Sequence, residues 1–161
     1  MRYGPVSVDY QVRAARITDV DRLVALSHEA IRTSADGSPM VAADLLRQLV
    51  YLPQATVVVA EAGRDVIGGA VLALRPSVRL GGFVGTVDML MVDRQHNLEQ
   101  VTEALIEELL RSARNKGCTV VEALRPDDHA ERSRLERLGF AGSAPMMRRM
   151  VGAGRTAASQ S

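Results

Sequence analysis

Tryptophan is absent from this chain of 161 residues, and phenylalanine and tyrosine number only two and three. The core must therefore come from Leu, Val, Ile, Ala and Met. A single cysteine, Cys118, excludes an internal disulfide and fits a reducing compartment, so a cytoplasmic location is expected. Charge of one sign is lacking too: 20 basic against 19 acidic residues leave a formal +1. That removes the general electrostatic case for nucleic acid or an anionic membrane, and neither is an expected partner. No apolar run approaches the ~20 residues of a membrane-spanning helix. The start, Met1-Arg2-Tyr3-Gly4-Pro5, has no apolar signal-peptide segment. No pair of side chains has metal-ligand spacing, so no metal is expected.

One further absence is local. Val87–Val92 reads as a buried strand and Asn97–Arg114 as an amphipathic helix. Such a strand-to-helix junction cradles a phosphate when its turn is rich in glycine and its N–H groups are unpaired. The turn here, Asp93-Arg94-Gln95-His96-Asn97-Leu98-Glu99-Gln100, has no glycine and sets an acid in the first turn of the helix.

What is present reads as a short leader (1–10), one domain (11–151) and a flexible tail (152–161), with no internal repeat. Gln11–Ala15 is the first strand. A helix follows, with Thr18 as cap and Asp21 as capping-box acid; Ser34–Pro39 breaks it. A second helix covers Val41–Leu52. Thr56–Ala60 is a β-branched strand, joined by the turn Ala62–Asp65 to a second strand, Val66–Leu74. After a connection containing Arg79 come Phe83–Val92 and the long helix. Leu98, Val101, Leu105, Ile106, Leu109 and Ala113 make one apolar face of that helix. Lys116-Gly117 ends it. A strand opens at Cys118, a short helix spans Pro126–Leu138 with Asp127 or Asp128 as cap, and a last strand lies around 144–151.

This order, with the hairpin at Val57–Leu74 and the piece Glu136-Arg137-Leu138-Gly139-Phe140, resembles the GNAT superfamily of acyl-CoA-dependent N-acyltransferases. The likeness spans roughly Val12 to Val151. Glu136–Phe140 matches the family's Glu-Lys/Arg-Leu-Gly-Phe, and Arg13-Ala14-Ala15 through Asp19-Val20-Asp21 matches its first strand and helix start. The resemblance implies an α/β fold: a mixed, mostly antiparallel twisted sheet of six or seven strands flanked by about four helices. It implies acetyl-CoA or another acyl-CoA as cofactor, a small-molecule or protein amine as acceptor, and a homodimer paired through C-terminal strands.

The resemblance also implies a site. The family's fourth strand carries a bulge and splays from the fifth; by position that strand is Val87–Val92, and the acyl-pantetheine arm would enter the gap and pair with strand backbone near Leu90 and Val92. The family's pyrophosphate loop, Arg/Gln-x-x-Gly-x-Gly/Ala, falls on Asn97-Leu98-Glu99-Gln100-Val101-Thr102, making Asn97, Leu98, Gln100 and Thr102 the cofactor candidates. Gln100 and Thr102 then replace the two small residues. A second register starts at Arg94 and sets Asn97 and Glu99 in those slots. In either register Glu99 brings a carboxylate to the phosphates, costing roughly 1–3 kcal/mol at ~6 Å. A non-catalytic protein-interaction or regulatory module is therefore the alternative to an active transferase. The family's frequent acid, a tyrosine, is replaced by Leu135, which has no proton to donate.

Asp88 is the catalytic candidate, as base or amine anchor; strand alternation would set it on the face of Leu90 and Val92. Its plainer reading is a strand-edge carboxylate paired with an arginine. His96 is a phosphate contact or an exposed loop histidine, while His28 and His129 read as surface. Cys118 reads as a small buried hydrophobe rather than a nucleophile. Arg94 and Arg134 would supply charge to a bound phosphate, or else are solvated. Met89, Met91, Met146, Met147 and Met150 read as adaptable packing. The arginines from Arg132 to Arg149 alternate with acids and read as a salt-bridged face.

Overall fold

A computed structural model describes residues 9–33, 39–142 and 149. Five strands form one sheet in the order β1-β2-β3-β4-β5: β1 (Tyr10–Ala14), β2 (Ala55–Ala62), β3 (Asp65–Ser77), β4 (Gly82–Val92) and β5 (Cys118–Ala123). The first four pair antiparallel and β5 joins β4 in parallel. A parallel neighbour needs a crossover, and α3 (Leu98–Asn115) supplies it. The remaining helices are α1 (Val20–Thr33), α2 (Pro39–Leu49) and α4 (His129–Arg137). The sheet is mixed and mostly antiparallel, as expected, with five strands among the described residues rather than six or seven. The strand expected at 144–151 lies outside the described residues, as does the tail. No described helix is long and apolar enough to cross a membrane.

The β-branched run of β2 is explained by helices on both faces. Val57 and Val59 point to α1 and α2, meeting Val20, Leu23, Ala43 and Leu46. Val58 and Ala60 point to α3, meeting Val101, Leu105, Ile106 and Leu109. A strand covered on both sides reads as a continuous apolar run. Leu105, Ile106 and Leu109 are almost wholly buried, each stabilising the fold by about 1.5–3 kcal/mol. Gly68 and Gly69 of β3 lie in close contact with the layers on either side of the sheet. A Cβ on Gly68 would meet the Met91 carbonyl oxygen at 3.0 Å and Val101 of α3 at 3.3 Å; one on Gly69 would meet Leu23 of α1 at 2.3 Å.

Several boundaries differ from the sequence reading, each for a physical reason. Tyr10, placed in the leader, opens β1 opposite Ala62. The cap at the first helix is not Thr18 with Asp21: a 3₁₀ turn, Ile17–Asp19, precedes α1, and the Asp19 carboxylate accepts the Arg16 N–H at 2.7 Å. Pro39 begins α2 instead of breaking the chain before it, a position where its missing N–H costs nothing. β3 runs on through Pro76, opposite Phe83, so the connection shrinks to a turn ending at Gly81, φ 69°. Asp128 does cap α4, accepting the Glu131 N–H at 3.0 Å.

Asp19 is 8% exposed. It accepts two bonds from the Arg13 guanidinium, at 2.8 and 3.0 Å, and Arg13 also donates to Glu61. This group ties β1 to β2 and to the start of α1. The Arg13 bonds hold the Asp19 carboxyl below its ordinary value, against the opposing effect of burial. A carboxyl lowered in the fold stabilises above its unfolded pKa and loses that contribution as pH falls through the folded value. Asp19→Asn should cost about 1.5–3 kcal/mol at neutral pH. It should also flatten the decline in melting temperature below about pH 4. Parallel acid limbs in thermal melts of the two proteins would remove Asp19 from acid unfolding.

Candidate active site

The site is set by one extra residue. In β4, Val87 pairs with Leu72 and Met89 with Val71, leaving Asp88 without a partner on β3. This is a β-bulge. Its effect shows in the packing: Val87, Leu90 and Val92 all join the α3 face, while Met89 joins the α1 and α2 face. Val87 and Leu90 are three apart, so alternation does not carry across the bulge, and the argument that set Asp88 with Leu90 and Val92 lapses. Asp88 is exposed and enters no ion pair among the described residues, so the paired-arginine reading does not hold.

Beyond the bulge β4 loses a neighbour. β5 pairs with β4 only from Phe83 to Val87, ending at Ala123. Residues 88–92 then have strand pairing on the β3 side alone among the described residues. Leu90 and Val92 lie in this stretch, their half-buried side chains turned toward the α3 core. What they offer the notch beside β4 is backbone.

The junction after β4 is tightly bonded. The Asp93 N–H donates to the Ile67 carbonyl at 2.7 Å, and the His96 N–H to the Asp93 carbonyl at 3.1 Å. The Asp93 carboxylate accepts the Gln95 N–H at 3.0 Å and Arg22 at 3.4 Å. Asn97 is the N-cap of α3, its side chain accepting the Gln100 N–H at 3.1 Å. The Val101 N–H donates to the Asn97 carbonyl at 3.0 Å. That is the first bond of the helix ladder; of the four donors ahead of it, the Gln100 N–H is already engaged. Thr102 is 5% exposed and faces the core. Its N–H belongs to the helix ladder, so the structure turns it away from any phosphate. Asn97, Glu99 and Gln100 are exposed, with Leu98 half-buried.

Two contacts at this junction escaped the sequence. The Tyr10 hydroxyl accepts the Asn97 N–H at 3.3 Å and lies 3.3 Å from His96 Nδ1, with the two rings edge to face. The alternation of Tyr10 with Val12 was the available signal. Glu99 pairs with Arg137 of α4 at 2.5 Å. Nothing in their spacing of 38 residues announces that contact.

The other candidates are apart from the notch or inert. Leu135 packs on the α3 core. Cys118 is half-buried, and burial pushes its thiol up despite Lys116 nearby, which favours the unreactive thiol. His129 is exposed at the start of α4, with Ser133 Oγ 3.5 Å away. The side chain of His28, and Met146, Met147 and Met150, lie outside the described residues.

The profile of the "Acetyltransferase (GNAT) family" matches residues 23–140. The chain belongs to this family. Its fold is shared by solved structures of low identity. An integron cassette protein from the mobile metagenome of Cole Harbour Salt Marsh is 23% identical, with TM-score 0.76 over 90% of this chain and 92% of that one. A transcriptional regulator from Bacillus halodurans is 16% identical, with TM-score 0.76 over 89% and 100%. Glucosamine-6-phosphate N-acetyltransferase from Arabidopsis thaliana is 14% identical, with TM-score 0.70 over 89% and 99%. No curated protein matches by sequence. Acyl transfer from acyl-CoA to amines is the general activity of this family.

The Tyr10 contact has a measurable consequence. Tyr10→Phe keeps the ring and removes the hydroxyl, at a cost of about 0.5–1.5 kcal/mol. Amide exchange at Asn97 should quicken in the variant relative to the core of α3. Equal protection in both proteins would mean the hydroxyl does not hold the junction.

Proposed function

We propose that this chain is an acyl-CoA-dependent N-acyltransferase whose acyl-donor slot is the notch beside residues 88–92 of β4. The observation that carries the reading is the pairing pattern: β5 leaves β4 at the bulge, and among the described residues no strand pairs with the β4 backbone beyond it on that side. An extended, amide-bearing pantetheine arm suits such an edge, because backbone N–H and C=O groups beside a slot seek partners. Acyl-CoA would supply an activated thioester there. In this reading the N–H at Leu90 polarises the thioester carbonyl. Asp88, exposed at the bulge, takes the proton of the attacking amine, directly or through water. The acceptor is a small-molecule or protein amine.

The diphosphate end fits less well in the family's usual form. The α3 start has no glycine, its Gln100 donor is engaged by Asn97, and Glu99 stands at the helix mouth. These features support a second reading, a non-catalytic interaction or regulatory module on the same scaffold. The Bacillus halodurans protein of similar fold is described as a transcriptional regulator. Homodimer formation through the C-terminal strands and a cytoplasmic location are consistent with either reading.

The two readings part in one titration. Acetyl-CoA should raise the melting temperature at concentrations well above its dissociation constant; an unmoved melt at millimolar ligand selects the module. With an amine acceptor in hand, Asp88→Asn should lower kcat by about 10²–10⁴-fold with little change in acetyl-CoA binding. Unaltered turnover across the pH range would dismiss Asp88 as the base.

A further inference from the structure

Between the start of α3 and the last turn of α4 lies an open cavity of about 220 Å³, lined by Glu99, Glu103, Arg134, Arg137 and Leu138. Two charges of each sign face one space. On a simple surface they would close into two ion pairs. Only one forms: Glu99 with Arg137, both side chains more than half exposed. Arg134 has no ion pair among the described residues; its Nε, like that of Arg132 outside the cavity, is shielded from solvent without a hydrogen-bond partner. An orphaned guanidinium N–H is an uncommon arrangement, since buried donors are nearly always satisfied. Arg134 and Arg137 are three residues apart, hence on one side of α4.

We infer that this cavity is an anion site in which Arg134 and Arg137 of α4 take a diphosphate, replacing the glycine-lined helix start that the chain lacks. Guanidinium groups suit this role, because their planar fork of donors matches phosphate oxygens two at a time. Glu99 is then a tethered competitor. Its carboxylate occupies Arg137 when no ligand is present, and an incoming phosphate displaces it. The exchange trades one anion for another, which offsets the repulsion that Glu99 would otherwise impose. The inference rests on the acyl-CoA reading for its natural ligand, but the site itself is defined by phosphate chemistry. A free diphosphate would satisfy the same groups.

Calorimetric titration with coenzyme A, inorganic pyrophosphate and pantetheine separates the two ideas. Pantetheine reads the β4 notch alone, and pyrophosphate reads the α3–α4 cavity alone. Arg134→Gln, and Arg134→Gln with Arg137→Gln, should weaken coenzyme A and pyrophosphate by about tenfold or more while leaving pantetheine unchanged. Glu99→Gln should tighten both phosphate ligands by about three- to tenfold, a gain that a folding defect would not produce. Coenzyme A bound equally by the native protein and the double variant overturns the arginine site and leaves the acyl-CoA reading standing. Pyrophosphate binding that the double variant loses, with no binding of coenzyme A or pantetheine, upholds the anion site and removes the acyl-CoA reading. Native protein that binds neither coenzyme A nor pyrophosphate overturns the inference outright.

Discussion

The bulge at Asp88 is the constraint on which the rest of this structure depends. A regular β4 would carry one alternation along its whole length and could keep β5 beside it. The extra residue changes the phase. Val87 and Leu90 both reach α3, Met89 turns to the opposite layer, and Asp88 is left facing solvent. The same step coincides with the end of pairing to β5. One inserted residue thus accounts for a backbone edge beside a slot, an exposed carboxylate at its mouth, and a core that still closes on both sides. Bulges often re-aim side chains next to functional sites in this way.

The second determinant is electrostatic and lies at the far end of the slot. A helix start carries partial positive charge and free donors. Here Asn97 engages one donor, and Glu99, an anion favoured at the helix start, pairs with Arg137. The Tyr10 hydroxyl fastens the turn from the sheet edge. The result is a junction rigid in its own bonds rather than a pliant glycine cradle. Positive charge is displaced onto α4, where Arg134 stands unpaired among the described residues. Backbone slot and side-chain anion site draw on different parts of the sequence, so they are free to diverge independently.

Legibility in the sequence followed the physics of each element. The β-branched run of β2 and the 3.6-residue stripe of α3 were plain, because burial imposes period and composition directly. The order of elements and Glu136–Phe140 were enough for the family. The bulge came through the resemblance alone, which implied one in Val87–Val92: a single inserted residue leaves no mark on composition, and strict alternation does not say that the phase changes at Asp88. Tyr10 was lost because a five-residue edge strand has little pattern to show. The Arg13–Asp19–Glu61 group and the Glu99–Arg137 pair join residues far apart in sequence or on different elements. Such contacts exist only once the chain is folded. Thr102, placed in a loop motif by the resemblance, falls inside the helix, where orientation follows the core.

The glycine pair of β3 has a consequence for how the two faces of the sheet are packed. Gly68 gives its space to α3 and the β4 backbone, and Gly69 gives its space to Leu23 of α1. Neighbouring peptide units therefore serve as the shared bearing for the helix behind the slot and the helix on the opposite face. The Val101 and Leu23 side chains rest directly on that backbone, so a Cβ at either glycine would have to displace a helix side chain.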